Sequence, residues 1–489
     1  MVMLLMRGIM YIVFVMGMLY QNTTKVIGGR IAVQLTTDVT GIHRRNLTVT
    51  RFGLSCVLAL MGFVAVALGS QAREGDADKS PLDGNSFVVR NVRVFDGERV
   101  LERANVVVRA GRITAIGRRK PPADLTVVDG AGRTLLPGLI DAHAHVLSEA
   151  GLRNALRFGV TTQLDMFTKL DFMQSHRAQR ERLNQTDLSD LYSAGQPVTS
   201  AGGMGTQFGI PFPTITGPQE ASAFVRARLS EGSDYIKLLY EPEAGIVTTI
   251  SPQTLNAVIA AAHAQGALAV VHVTSLKGAR EAVGAGADGL AHIFGDELID
   301  DALAKKMAAR GMFVTPTLSL FAAISGAGLG PELAADPRIS PFLTANQRAT
   351  LTAPSPGKNG PMASYLSRFN IKTASENVRR LRAAGVRILA GTDTPNLAAH
   401  GVSLHGELLL LTRAGLTPAE ALKAATRAPA KAFKLANRGR IVPGARADLV
   451  LVDGNPLADI NATRAIVRIF KNGYEVPRAT GETAQPGTR

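Results

Sequence analysis

Between residues 139 and 430 the chain repeats one rhythm: a short apolar run, then an amphipathic, alanine-rich one. "GLIDAHAHV", "GVTTQLDMF", "DLYSAG", "DYIKLLY", "ALAVVHVT", "DGLAHIF", "MFVTPTLSL" and "VRILAGTD" read as buried strands. Segments such as "PQTLNAVIAAAHAQG" and "SENVRRLRAAG" read as helices closed by glycine. A helix between two strands returns the chain to the sheet in the same direction, so this rhythm demands parallel pairing. Eight such units in roughly 290 residues fit a (β/α)8 TIM barrel. A doubly wound open sheet is the alternative, and no G-x-G-x-x-G follows a strand to favour it.

The flanks behave differently. "SFVVRNVRVFDG", "ANVVVRAGRITAIG" and "LTVVDGAGRTLLPG" alternate and turn like a small β unit, as do "GRIVPGARADLVLVDGNP" and "IVRIFKNGYEV" near the other end. Two such ends around one α/β middle predict a small composite β-sandwich domain formed by both ends of the mature chain. The expected division is therefore 1–72 N-terminal extension and signal peptide, 73–138 first part of the sandwich, 139–430 barrel, and 431–489 second part and tail. One connection, 321–373, is rich in Gly, Pro and Ser and is expected as a long loop serving as a lid over the C-terminal face of the barrel.

Residues 51–72, "RFGLSCVLALMGFVAVALGSQA", have a basic start, an apolar centre and small residues at Ser70 and Ala72. They read as a bacterial export signal cleaved after Ala72, giving a periplasmic or secreted protein without stable membrane association. Cys56, the one cysteine, lies inside that signal, so disulfides and cysteine catalysis are excluded for the mature chain. Part of the formal net charge of +15 lies in residues 1–72; the rest is scattered over amphipathic stretches without aromatic interleaving, which speaks against nucleic acid and is compatible with a small anionic substrate.

Chemistry gathers at the strand ends. His143 and His145 are two apart on one strand and so face one way. His272 ends "ALAVVHV", His292 sits in "GLAHIF", Asp393 ends "RILAGTD", and Lys237 lies inside "DYIKLLY", where a bare ammonium is costly to bury. Active sites of barrels occupy the C-terminal ends of the strands, and imidazoles with a carboxylate there are metal-ligand chemistry. His400 and His405 follow Asp393 closely enough to be candidates for a substrate-contacting or supporting role.

"PGLIDAHAHV", "YIKLLY", "VVHV", "AHIF" and "GTD", in this order, resemble the amidohydrolase superfamily, as does the tail "GLTPAEALKAATRAPAKAFKLANRGRIVPGARADLVLVDGNP". The resemblance covers nearly the whole mature chain and is nearest to prolidase-like and imidazolonepropionase-like members, some of which hydrolyse ochratoxin A. It implies two divalent ions, most often zinc: His143, His145 and Asp393 on one, His272 and His292 on the other, with Lys237 an N-carboxylated bridge. It further implies hydrolysis by a metal-activated hydroxide with Asp393 as general base. Tyr240, read as facing the same side of the strand as the lysine, is the candidate donor to the oxyanion. The expected substrate is a small amide, a dipeptide or N-acyl amino acid. A lactonase, cyclic-amide hydrolase or phosphotriesterase would use the same binuclear site. Homo-oligomers are common among such proteins and are expected here.

Overall fold

Each of the eight apolar runs of the middle region contains a strand. The computed structural model describes residues 84–206, 211–242, 245, 247–356 and 363–478; the expected signal segment, with Cys56, lies outside them. In chain order β1 to β5 are Phe87–Phe95, Val100–Arg109, Arg112–Gly117, Thr126–Asp129 and Arg133–Pro137. The eight strands of the middle are β6 (Leu139–Ala144), β7 (Val160–Asp165), β8 (Asp190–Ser193), β9 (Ile236–Leu239), β10 (Ala269–His272), β11 (Gly289–Ala291), β12 (Phe313–Thr315) and β13 (Arg387–Ile388). They form two sheets, β6-β7-β8 and β9 to β13, with every pair parallel. Isolated parallel bridges join the two sheets on both sides. Val198, beyond β8, pairs with Leu238 of β9, and Ala144 of β6 pairs with Thr394 beyond β13.

Strand parity sorts the side chains into two cores. Ile236, Leu238, Val271 and Val314 face the surrounding helices. Ile140, Leu164, Val270 and Leu389 face the other way, packed with Phe433 and Leu435 from near the end of the helical region. Several helices start where the sequence supplies a cap: Ser251, Ser275 and Asp300 each accept the amide three residues on, a contact worth about 1 kcal/mol. Among the described residues no helix is long and apolar enough to cross a membrane.

Strands from both ends of the chain share one sheet. β14 (Leu449–Asp453), β15 (Ile466–Lys471) and β16 (Tyr474–Glu475) join the first five in the order β16-β15-β14-β5-β1-β2-β3, with β4 alongside β1. β14 runs antiparallel to β5, and Phe87, Val106, Leu135, Leu449 and Phe470 form the shared core.

The connection expected as a long loop is instead largely helical, with helices at Leu318–Ile324, Gly330–Ala335, Ala345–Thr352 and Ala363–Ser367. Leu333, Ile339, Leu343 and Leu351 bury themselves against Phe158 and Val402, so the segment carries its own small core. Its Gly and Pro residues punctuate short helices, and the apolar spacing between them decides the outcome.

A buried ion network ties the two regions together. Lys471 Nζ lies 2.8 Å from Asp190 Oδ2 and 3.0 Å from Asp448 Oδ2, and Arg438 Nε reaches the same Asp190 oxygen at 2.8 Å. Burial pushes the Asp190 carboxyl upward, but Lys471, Arg438 and Arg446 outweigh it and hold the group at about 2. Removing the lysine leaves two buried carboxylates short of a cation. Lys471→Met is therefore expected to lower the unfolding free energy by about 3 kcal/mol. Denaturant unfolding checks this, and a loss below about 1 kcal/mol would show that the network is not a tie.

Candidate metal centre

The site is assembled by a clamp between β6 and the segment after β13. Asp141 is fully buried; its Oδ1 accepts the amides of His143 and Thr392, both at 3.1 Å, and its Oδ2 accepts the Thr392 hydroxyl at 2.6 Å. The backbone continues the join, with Asp393 N–H donating to His143 O and His145 N–H to Thr394 O. The approach is so close that Gly391 has no room for a side chain: a Cβ there would lie 2.7 Å from His143 N and 2.5 Å from Thr315 Cγ2. Asp393 itself takes a left-handed conformation, φ 62°, which aspartate tolerates better than most residues.

This join brings three ligand-type atoms together. His143 Nε2 and His145 Nε2 each lie 3.0 Å from Asp393 Oδ1, and all three atoms fall within 4.8 Å of one another. His292 extends the group, its ring 4.6 Å from that of His143 and 4.6 Å from that of His272. His292 Nδ1 pairs with Thr317 Oγ1 at 2.7 Å, and His272 Nε2 lies 3.0 Å from Glu241 Oε1. Lys237 enters from β9, 2% exposed, with no hydrogen-bond partner for Nζ among the described residues. Four of the six expected ligands are buried imidazoles or a carboxylate, and both ring nitrogens of His143 lack an aligned partner. Buried polar atoms are normally satisfied, so an orphaned set converging from several strands fits a bound cation.

The electrostatics follow from burial. It lowers His143 to about 3, helped by the Lys237 charge, and lowers His292 well below the usual imidazole range. Both imidazoles are therefore neutral, the form that ligates metals. Burial lowers Lys237 to about 7 against the pull of Asp393 and Asp165. Burial would raise Asp393, but the neighbouring His143, His145 and His292 outweigh it and hold the carboxyl well below its ordinary range.

Three sequence candidates sit elsewhere. Tyr240 is three residues beyond Lys237, so strand parity turns it to the opposite face, into the helix-facing core. There its hydroxyl donates to Glu281 on helix Leu276–Ala285, away from the metal-ligand group. His405 hydrogen-bonds Thr463 and the carbonyl of Phe158 on the outer side of helix Val402–Arg413. His400 stands behind the site: its Nδ1 meets Thr394 Oγ1 at 3.0 Å and Gln163 Oε1 at 2.9 Å, so it buttresses the residue after Asp393.

The structure adds residues that sequence reasoning missed. Asp165 ends β7, accepts Val146 N–H and the Ser193 hydroxyl, and is raised by burial to about 6. Glu241 follows β9 and is 2% exposed. The last part of the long connection returns over this rim, where Arg368 Nη1 lies 3.6 Å from Glu241 Oε2. Asp165 obeys the same strand-end rule as the histidines and could have been found by it. Arg368 carries no such signal.

Comparison with known proteins agrees with this geometry. Residues 134–476 match the amidohydrolase family. Imidazolonepropionase of Streptomyces griseus is 26% identical over 375 residues, covering 72% of this chain and 86% of that protein. Ochratoxinase of Aspergillus niger is 24% identical over 322 residues, 58% of this chain and 59% of its own length. Among solved structures, a Xaa-Pro dipeptidase has a TM-score of 0.62 at 22% identity, covering 80% of this chain and 99% of that one. Molinate hydrolase gives 0.63 at 19% identity, covering 81% and 96%. At such identities the structural likeness speaks for the fold alone. The family match spans most of the chain, and the chain belongs to the amidohydrolase family.

Proposed function

We propose that this chain is a metal-dependent hydrolase that cleaves an amide bond next to a carboxylate-bearing amino acid. The observation that carries the reading is the grouping of His143, His145 and Asp393, extended by the rings of His292 and His272, with the buried, unpartnered Lys237 Nζ on neighbouring β9. In this reading β6 to β13 close as a (β/α)8 barrel spanning 139–430. Residues 73–138 and 431–489 form the β-sandwich beside it. Export under the 51–72 signal and assembly into homo-oligomers belong to the same proposal. The relatives named ochratoxinase and Xaa-Pro dipeptidase support amide chemistry.

His143, His145 and Asp393 would hold one divalent ion and His272 and His292 a second, with zinc the ion we favour for this N-rich set. Lys237 is poised for its bridging role. Near a pKa of about 7 much of it is the neutral amine, whose lone pair adds to CO2 with release of a proton. The resulting carbamate replaces a costly buried cation with an oxygen anion. Ions bound here would supply an acidified water and a Lewis acid for the scissile carbonyl.

Asp393 then does the proton work. Its carboxylate is ionised across the physiological range, lies at the centre of the cluster, and can accept a proton and return it to the departing amine. Asn396 Nδ2 donates to its Oδ2 at 3.0 Å and fixes the carboxylate plane. Arg368 is the cation we assign to the substrate carboxylate, because its guanidinium stands at the rim beside Glu241.

Release of free amino acid from a panel of dipeptides and N-acyl amino acids tests the reading. Turnover of some members, abolished by prior chelation, is the expected result; undiminished turnover after chelation would contradict it. Turnover of lactones, cyclic amides or phosphotriesters alone would replace the substrate class. Asp393→Asn should lower kcat by about 10²–10⁴-fold with the thermal midpoint retained, and substantial residual turnover would remove it as the base. Arg368→Gln should raise KM by about 10–100-fold for substrates with a free carboxylate and leave KM unchanged for their carboxamides. Equal effects on both would take that role from Arg368.

A further inference from the structure

At the end of the parallel strands away from the metal-ligand group lies a cavity of about 310 Å³. That volume falls within the range of small-molecule sites, about 300–1,000 Å³. The cavity opens where the strands begin: Leu268 precedes β10, Asp288 precedes β11, Arg310 stands just before β12 and Arg387 starts β13. His272 and Asp393 lie at or beyond the opposite ends of β10 and β13.

Strand parity builds one wall. Val386 and Ile388 belong to the helix-facing core, so Arg387 and Leu389 turn the other way, towards Phe313 and Phe433. Leu389 is fully buried there, whereas Arg387 sits at the mouth of that core, partly buried. Leu268, Phe313 and Ala432 supply the apolar surface of the cavity. Gly289 makes room for the Phe313 ring, since a Cβ there would lie 2.1 Å from it.

The charges around this surface are only partly satisfied. Among the described residues the Arg387 guanidinium has no hydrogen-bond or ion-pair partner. Arg310 makes one bond, Nη1 donating to the carbonyl of Val283 near the end of helix Leu276–Ala285. Asp288 is engaged through Oδ2, which accepts the Ala269 amide at 2.8 Å and lies 2.9 Å from His263 Nε2. Two guanidiniums against one carboxylate favour an anion, yet a simple anion would also face Asp288. A ligand that carries its own cation turns that repulsion into an attraction.

We propose that this cavity binds a free α-amino acid with an apolar side chain. The carboxylate lies between Arg310 and Arg387, the ammonium faces Asp288 Oδ1, and the side chain rests on Leu268, Phe313 and Ala432. The site is separate from the metal-ligand group and does not depend on the hydrolase reading. Under that reading, the amino acid released by amide cleavage is of the class this cavity takes.

Photolabelling of the intact protein with a diazirine analogue of L-leucine tests this. Label is expected in the peptides that carry Leu268, Phe313 or Ala432. L-leucine should compete at least about tenfold better than 4-methylpentanoate, which lacks the ammonium, or 3-methylbutylamine, which lacks the carboxylate. Label confined to peptides with the metal-ligand residues would overturn the proposal. Equal competition by 4-methylpentanoate or inorganic phosphate would make this a plain anion site and overturn it too. Arg387→Gln should weaken L-leucine at this site by about 10–100-fold with the thermal midpoint retained, and Arg368→Gln should leave it unchanged. Undiminished labelling in Arg387→Gln, or the same loss in Arg368→Gln, would contradict the assignment. The competition series needs no substitution and reads no turnover, so its failure is distinct from failure of the hydrolase reading.

Discussion

The candidate site depends on a join between the first and last strands of the parallel set. Asp141 accepts two hydrogen bonds from Thr392, far away in the chain beyond β13, and a third from the amide of His143 on its own strand, and in doing so sets His143 and Asp393 side by side. Burial pushes its carboxyl up to about 7, opposed by the Thr392 hydroxyl and the two amides. Among the described residues no cation pairs with Asp141, so the join is held by hydrogen bonds, in a place too tight for any residue but glycine at position 391. Without it the two sheets would meet only through backbone bridges, and the ligand-type atoms would have no common centre.

The cost of the site is spread over the rest of the molecule. Orphaned imidazole nitrogens, a buried amine and several buried carboxylates are each unfavourable in an apolar interior. Bound cations would turn most of these penalties into favourable contacts, which couples metal binding to stability. Thr317 and His400 form the next layer out, one bonded to the candidate ligand His292 and the other to Thr394, the residue after Asp393.

Much of this was legible in the sequence because the fold writes it there. Each expected strand contains an observed one, since short apolar runs separated by glycine-capped helices admit few other arrangements. The histidines and Asp393 were legible because they sit at the ends of those runs. Parity explains the failure at Tyr240: three residues past Lys237, rather than two or four, places it on the opposite face. His405 was misjudged because nearness in sequence to Asp393 says nothing of the side of a helix, and its partners are Thr463 and Phe158. Gly and Pro in 321–373 concealed short helices whose apolar faces only the packed neighbours make visible. Asp141, Glu241 and Arg368 act through contacts between distant parts of the chain, which no local pattern records.

The most direct test is the metal content of the protein itself, measured by elemental analysis after purification without chelator, with bound carbamate read by ¹³C NMR under ¹³CO2. Close to two divalent ions per chain, with a carbamate signal lost in Lys237→Ala, is the predicted result. A folded protein holding no divalent ion and no carbamate when supplied with zinc and CO2 would contradict the account at its centre.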